Sequence, residues 1–132
     1  MLVVLDIEIG GTEAEKTRAA HEICQCIEVA VSRARREVAA KKVPHLFKSG
    51  VKYVQQDPRA CAMRPPSEVM KRGGGDCKQL VLWRIAELRE SGVHATPRII
   101  WLADKKGLRA HAQVRLPDGS TEDPSYNLGM KP

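Results

Sequence analysis

A cysteine, a histidine and an aspartate, Cys77, His111 and Asp123, occur in that order in the second half of the chain. Together these types can perform nucleophilic acyl chemistry. A thiol attacks a carbonyl only as the thiolate, an imidazole can take its proton, and a carboxylate can hold the imidazole in the right tautomer. Cys77 has a suggestive context, Gly73-Gly74-Gly75-Asp76-Cys77-Lys78. The glycines carry no side chains and would let a substrate backbone approach.

Several elements must position these groups. Apolar residues recur at Cys77, Leu80, Val81, Ile85 and Leu88, the spacing of one face of an α-helix. The helix is expected to run to Ser91, with Gly92 as its stop. Cys77 then lies in the first turn, where unpaired N–H groups and the positive end of the helix dipole favour a thiolate. After Gly92 the period changes from helical to alternating. Residues 98–102 read as a strand, Asp104 to Gly107 as a hairpin connection, Leu108 to Leu116 as the partner strand, and Ser120 to Asp123 as a third. His111, Gln113 and Arg115 share one face of the second strand.

The turn between the second and third strands decides whether His111 and Asp123 meet. A two-residue Asp118-Gly119 loop pairs Pro117 in a position that needs its missing N–H, and places Asp123 opposite Val114 on the wrong face. A three-residue loop instead puts Pro117 and Asp118 in a type I turn with Gly119 left-handed. Leu116 then pairs with Ser120 and Gln113 with Asp123, so Asp123 becomes a same-face diagonal neighbour of His111. The turn residues therefore select the register that builds the dyad.

The first third of the chain reads as support. Residues 2–9 alternate as a strand, broken by Gly10-Gly11. Thr12 and Glu15 fit a capping box opening a long helix to about Ala40. Its inward stripe is Ala20, Ile23, Ile27, Ala30, Val31, Ala34 and Val38, with His21 beside it at the surface. Pro44 stops it. Between His45 and Arg64 the pattern is weak. Phe47, Val51, Tyr53 and Val54 suit a short helix or strand on the core, and Asp57-Pro58 marks a turn. Pro65-Pro66-Ser67-Glu68 opens a short helix to Arg72.

The 132 residues suit a single domain, with the strand and long helix over 1–44 and the core that would carry catalysis over about 45–132. No run of 18 apolar residues is present, and the start lacks a basic n-region, so no membrane association and a cytoplasmic location are expected. Cys24, Cys26, Cys61 and Cys77 are then expected to be reduced, and neither they nor His45 and His94 have zinc-ligand spacing. The net charge of +6 is compatible with a nucleic-acid partner. The densest run, Arg33, Arg35, Arg36, Lys41 and Lys42, reads instead as the solvated face of the long helix.

In these residues the chain resembles the transglutaminase-like branch of the papain-like cysteine protease superfamily. The resemblance rests on Gly75-Asp76-Cys77 opening a helix, His111 on a strand and Asp123-Pro124-Ser125 ending the next, over about residues 50 to 126. The approach through Val51-Lys52-Tyr53-Val54-Gln55-Gln56 and Arg64-Pro65-Pro66-Ser67-Glu68 is similar to compact members encoded by tailed phages and prophages. It implies an α+β fold, a central helix starting at the Cys against an antiparallel sheet. It implies Cys77 as nucleophile, His111 as base, Asp123 as orienting acid, and no metal or organic cofactor. The activity implied is thiol-dependent acyl transfer to water (protease or amidase) or to an amine (transglutaminase), on a peptide or protein substrate in a bacterial, phage-related setting. The alternative is a non-catalytic phage assembly or binding protein that keeps the scaffold. Cys77's own N–H is one candidate oxyanion donor, and Tyr53, Gln55 and Gln56 are the candidates for the second. The chain departs from the family where an aromatic and an acid often follow the His, here Gln113 and Arg115, and where an acid often follows the Cys, here Lys78.

Overall fold

The computed structural model describes residues 3–4, 13–56, 62–105 and 107–131. Thr12, most of the expected first strand, the Asp57-Pro58 turn and Cys61 lie outside the described residues. The architecture is mixed α+β, with a long N-terminal helix and a small antiparallel sheet.

Helix α1 runs Glu13–Ala39, one residue short of the expected end, and buries the expected stripe. Ile27, Val31 and Ala34 are in the core, with Ile23, Ala30 and Val38 packed on its margin. His21 is exposed and is hydrogen-bonded along its own helix to Gln25. Glu37, near the end of α1, accepts hydrogen bonds from the Ser67 amide at 2.9 Å and from its hydroxyl. This carboxylate caps α2 (Pro66–Arg72) from outside and ties the two helices together. The weakly patterned stretch after Pro44 holds both a 3-10 turn, Leu46–Lys48, and a short strand β2, Lys52–Tyr53. Leu46 and Val51 are buried there, whereas Phe47 and Val54 remain largely outside.

Helix α3, Cys77–Glu90, is the centre of the molecule. The expected stripe is only part of its buried surface, because Gln79, Leu82, Trp83, Ala86 and Glu87 are also buried. The reason is its position between two separate clusters. On one side Val81, Leu82, Ile85 and Ala86 pack with Ile27, Val31 and Ala34 of α1 and with Ala112 and Val114. On the other, Leu80 and Trp83 pack with Leu46, Val51, Val69 and Leu128. Removing a large side chain from either cluster costs about 2–5 kcal/mol.

The sheet has strand order β1-β4-β5-β6. Its strands are β1 (Val3–Val4), β4 (Thr96–Asp104), β5 (Gly107–Arg115) and β6 (Thr121–Glu122), each pair antiparallel. Val114 pairs with Glu122 and Arg115 with Thr121, the register of the three-residue turn. The Leu116 N–H donates to the Ser120 carbonyl at 2.9 Å and the Gly119 N–H to the Leu116 carbonyl at 2.9 Å. Gly119 has φ 89°, a left-handed conformation that glycine adopts without a Cβ clash. Asp118 secures the turn by accepting from the Ser120 amide at 2.9 Å and from its hydroxyl. The third strand is shorter than expected, and the residues after it are not a plain tail. Pro124–Asn127 form a helical turn, α4, with Asp123 at its N-cap, and Leu128 and Met130 beyond it are buried.

A second, two-stranded sheet joins β2 in parallel to β3, Gly74–Gly75. Thus the glycine run before Cys77 is a paired strand rather than an open loop. The Lys52 N–H donates to the Gly73 carbonyl at 3.1 Å and the Val54 N–H to the Gly75 carbonyl at 2.9 Å. The pairing depends on glycine at 74. A Cβ there would lie 2.5 Å from Val54 Cγ2 and 2.8 Å from the Lys52 carbonyl oxygen.

Candidate active site

Cys77 is the first residue of α3, half-buried, immediately after the N-cap Asp76. The cap is a full capping box. Asp76 Oδ1 accepts from the Gln79 amide at 3.0 Å, and Gln79 Oε1 accepts from the Asp76 amide at 3.3 Å. The buried Gln79 also donates through Nε2 to the Ala62 carbonyl at 2.6 Å, which pins the segment after residue 61 against the start of the helix. A cap of this kind contributes about 1 kcal/mol, and here it also sets the angle at which the thiol leaves the chain. Asp76-x-x-Gln79 is itself a capping signal in the sequence, of the same kind as Thr12 and Glu15. The Lys78 ammonium stands 3.4 Å from Asp76 Oδ2 and balances the buried carboxylate.

His111 on β5 is almost wholly buried, at 2% exposure. Its Nε2 is 2.8 Å from Asp123 Oδ2. Cys77 is near enough to the ring to favour its protonated form, and with Nε2 engaged by Asp123, Nδ1 is the nitrogen left for the thiol. Burial alone pulls the ring toward its neutral form. The hydrogen bonds to Asp123 and Cys77, with the charges of those two groups, outweigh it and push the pKa up to about 9. The Tyr126 ring lies beside it, its centroid 6.1 Å from that of His111 in a T-shaped contact.

Asp123 is held on every side. Oδ2 accepts from Gln113 Nε2 at 3.1 Å in addition to His111, and Oδ1 accepts from the Tyr126 amide at 3.3 Å. Burial pushes its carboxyl upward, but the His111 bond and charge, with the Gln113 and Tyr126 donors, bring it below the usual range. Gln113 therefore anchors the acid. The neighbouring Glu122 turns away to Arg84, at 2.8 Å, so that this second carboxylate does not compete for the imidazole.

The three residues proposed as oxyanion candidates do not share one environment. Tyr53 pairs with Gly75 across the parallel sheet, two residues before Cys77. Burial pushes its phenol pKa up, the nearby Cys77 adds to the rise, and the charge of Arg109 opposes it. Gln55 is exposed. Gln56 is half-buried, with Oε1 shut away from water and without a hydrogen-bond partner among the described residues. Arg109 was missed by sequence reasoning, since an arginine on a half-exposed strand carries no motif. Its one signal was its place two residues before His111, on the same face.

Among the described residues, no group of three or more His, Cys, Asp and Glu side chains is placed to hold a metal ion. No helix among them is long and apolar enough to cross a membrane. In chemical terms the arrangement offers a thiol at a helix N-terminus, a base in contact with it and an acid fixed behind the base. In comparison with known proteins, no family model, no curated protein and no solved structure matches this chain.

Proposed function

We propose that this protein is a thiol-dependent acyl-transfer enzyme, with Cys77 as nucleophile, His111 as general base and acid, and Asp123 as the orienting carboxylate. The observation that carries the reading is the buried imidazole bonded to Asp123 at 2.8 Å, with Cys77 at the start of α3 near enough to shift its titration. His111 takes the thiol proton, and the thiolate adds to an amide carbonyl carbon. The tetrahedral intermediate collapses as His111 returns the proton to the leaving amine, and the acyl group remains on Cys77. Water or a second amine then attacks the thioester with His111 as base. The first outcome is an amidase or protease, the second a transglutaminase.

The finer reading of the fold, a transglutaminase-like core of the papain-like kind, is part of the same proposal. It is supported by the order of parts. A helix opening at the cysteine is central, and an antiparallel sheet supplies the histidine and then the acid. A peptide or protein amide is the substrate class that this reading implies.

The test uses p-nitrophenyl acetate as a generic acyl donor, following nitrophenolate release and locating the acetyl group by peptide mass. Wild type is expected to acetylate at Cys77, and Cys77→Ala and His111→Ala to lose the reaction while remaining folded. A Cys77→Ala protein that turns over at the wild-type rate ends the proposal, and the scaffold is then a binding protein.

A further inference from the structure

A line of polar side chains crosses the sheet and ends on Asp123. Arg98 on β4 stands directly opposite Gln113 on β5, in the same register that puts Ile100 opposite His111. Directly opposed residues share a face of the sheet and lie within reach of each other. Arg98 Nη1 donates to Gln113 Oε1 at 3.3 Å. Gln113 Nε2 donates to Asp123 Oδ2 at 3.1 Å, and the same oxygen is 2.8 Å from His111 Nε2.

Chemistry fixes the direction of this line. A guanidinium has donors and no acceptor, so it takes the carbonyl end of the Gln113 amide. A carboxylate has only acceptors, so it takes the NH2 end. With the amide turned over, two oxygens would face each other at Asp123 and two donors at Arg98. Without Arg98, nothing holds the carbonyl end, and the amide can swing off the acid.

The hold on Oδ2 matters for its aim. His111 and Gln113 are two apart on β5, on one face and about 6.5 Å from each other along the strand. One carboxylate oxygen bonded to both cannot slide along the strand without losing one of them. The other oxygen, Oδ1, accepts from the Tyr126 amide at 3.3 Å, which ties the acid to α4 and not to the imidazole. We propose that Arg98 is a positioning residue of this site. It keeps the NH2 group of Gln113 on Asp123, and through it the carboxylate in line with His111 Nε2. Its bearing on catalysis rests on the reading of Cys77, His111 and Asp123 as an acyl-transfer site.

Two readouts separate this role from a structural one. The first is the proton resonance of the His111 Nε2–H, recorded by NMR at pH 7 on 15N-labelled protein and assigned by its loss in His111→Ala. An N–H held on a carboxylate makes a short, strong bond, and its signal lies far downfield. The second is the rate at which p-nitrophenyl acetate acetylates Cys77. Gln113→Met is expected to move the signal upfield and broaden it, and to slow acetylation by about tenfold to a hundredfold. Arg98→Met should change both in the same direction by a smaller factor. Arg98→Lys, which can still donate to Oε1, should recover most of both. In a Gln113→Met background, Arg98→Met should change neither, whereas a plain effect of the Arg98 charge would persist.

An Arg98→Met protein with the wild-type signal and rate overturns the assignment. So does an Arg98→Met effect of full size in the Gln113→Met background. If Arg98→Met fails to fold, as read by urea melts, Arg98→Thr takes its place under the same outcomes, since threonine suits a strand and is too short to reach Gln113. A wild-type protein whose His111 signal depends on Arg98 and Gln113, but whose Cys77 is never acetylated, supports the positioning of the acid and overturns the acyl-transfer reading alone.

Discussion

Replacing Asp123 by asparagine removes one charge and little volume, and the structure says at which pH the loss must be felt. In the folded protein the His111 pKa is pushed from an ordinary 6.5 up to about 9. A base whose pKa is raised on folding holds its proton more tightly in the folded state. Its contribution is complete below 6.5, fades as pH rises toward about 9 and is gone above it. Asp123 behaves oppositely. Its pKa is lowered on folding, so its contribution is present above its ordinary 3.8 and is lost as pH falls through the folded value. The ion pair therefore stabilises the fold most between roughly pH 4 and 6.5. The rise to about 9 corresponds to about 3 kcal/mol. Cys77 supplies part of that rise and survives the substitution, so Asp123→Asn should cost about 2 kcal/mol more at pH 6 than at pH 10. Urea unfolding of both proteins across that range measures the difference, and groups that titrate alike in the two cancel. Acylation of Cys77 near neutral pH should fall by at least about a hundredfold in the same variant. A stability difference that is flat with pH, or that grows toward pH 10, would refute the ion pair.

Three further outcomes follow from particular contacts. Cys77→Ala should unfold within about 1 kcal/mol of wild type, since the residue is half-buried and lies at a helix end, yet acylation should vanish. Gly74→Ala should destabilise the fold by about 1–3 kcal/mol and slow acylation, because its Cβ would push β2 away from the strand that leads into Cys77; urea melts and nitrophenolate release check both. Glu87→Ala should cost about 2–3 kcal/mol in urea unfolding, because it strands the Leu46 amide, which donates to Glu87 at 2.7 Å, and removes a partner of Arg84. Glu87→Gln keeps an acceptor for Leu46 and should cost less than half as much.

The parts of this fold that were legible in the sequence are those set by local chemistry. Pro117, Asp118 and Gly119 could form one good turn and one poor one, and the good one dictated the pairing that brings His111 to Asp123. The stripe on α1 was readable because only one of its faces is covered. By contrast, α3 is covered on two faces, so Leu82 and Trp83 break the simple period and their burial depends on what packs there. The pairing of Lys52–Tyr53 with Gly74–Gly75 spans two residues on each side and has no pattern of its own. Gln113 looked like a departure from a family pattern; in the structure it holds the acid that the histidine needs.

The most direct test of the account is the rate at which each of the four cysteines reacts with iodoacetamide at pH 7, read by peptide mass in wild type and in His111→Ala. Burial and the nearby Glu28 push the Cys24 thiol up, so it should react slowly. Cys77, in contact with a protonated imidazole at a helix N-terminus, should react at least about tenfold faster than Cys24 and the exposed Cys26, and should lose that advantage when His111 is removed. If Cys77 reacts no faster than Cys26, or keeps its rate without His111, the histidine does not activate the thiol and the acyl-transfer reading is contradicted.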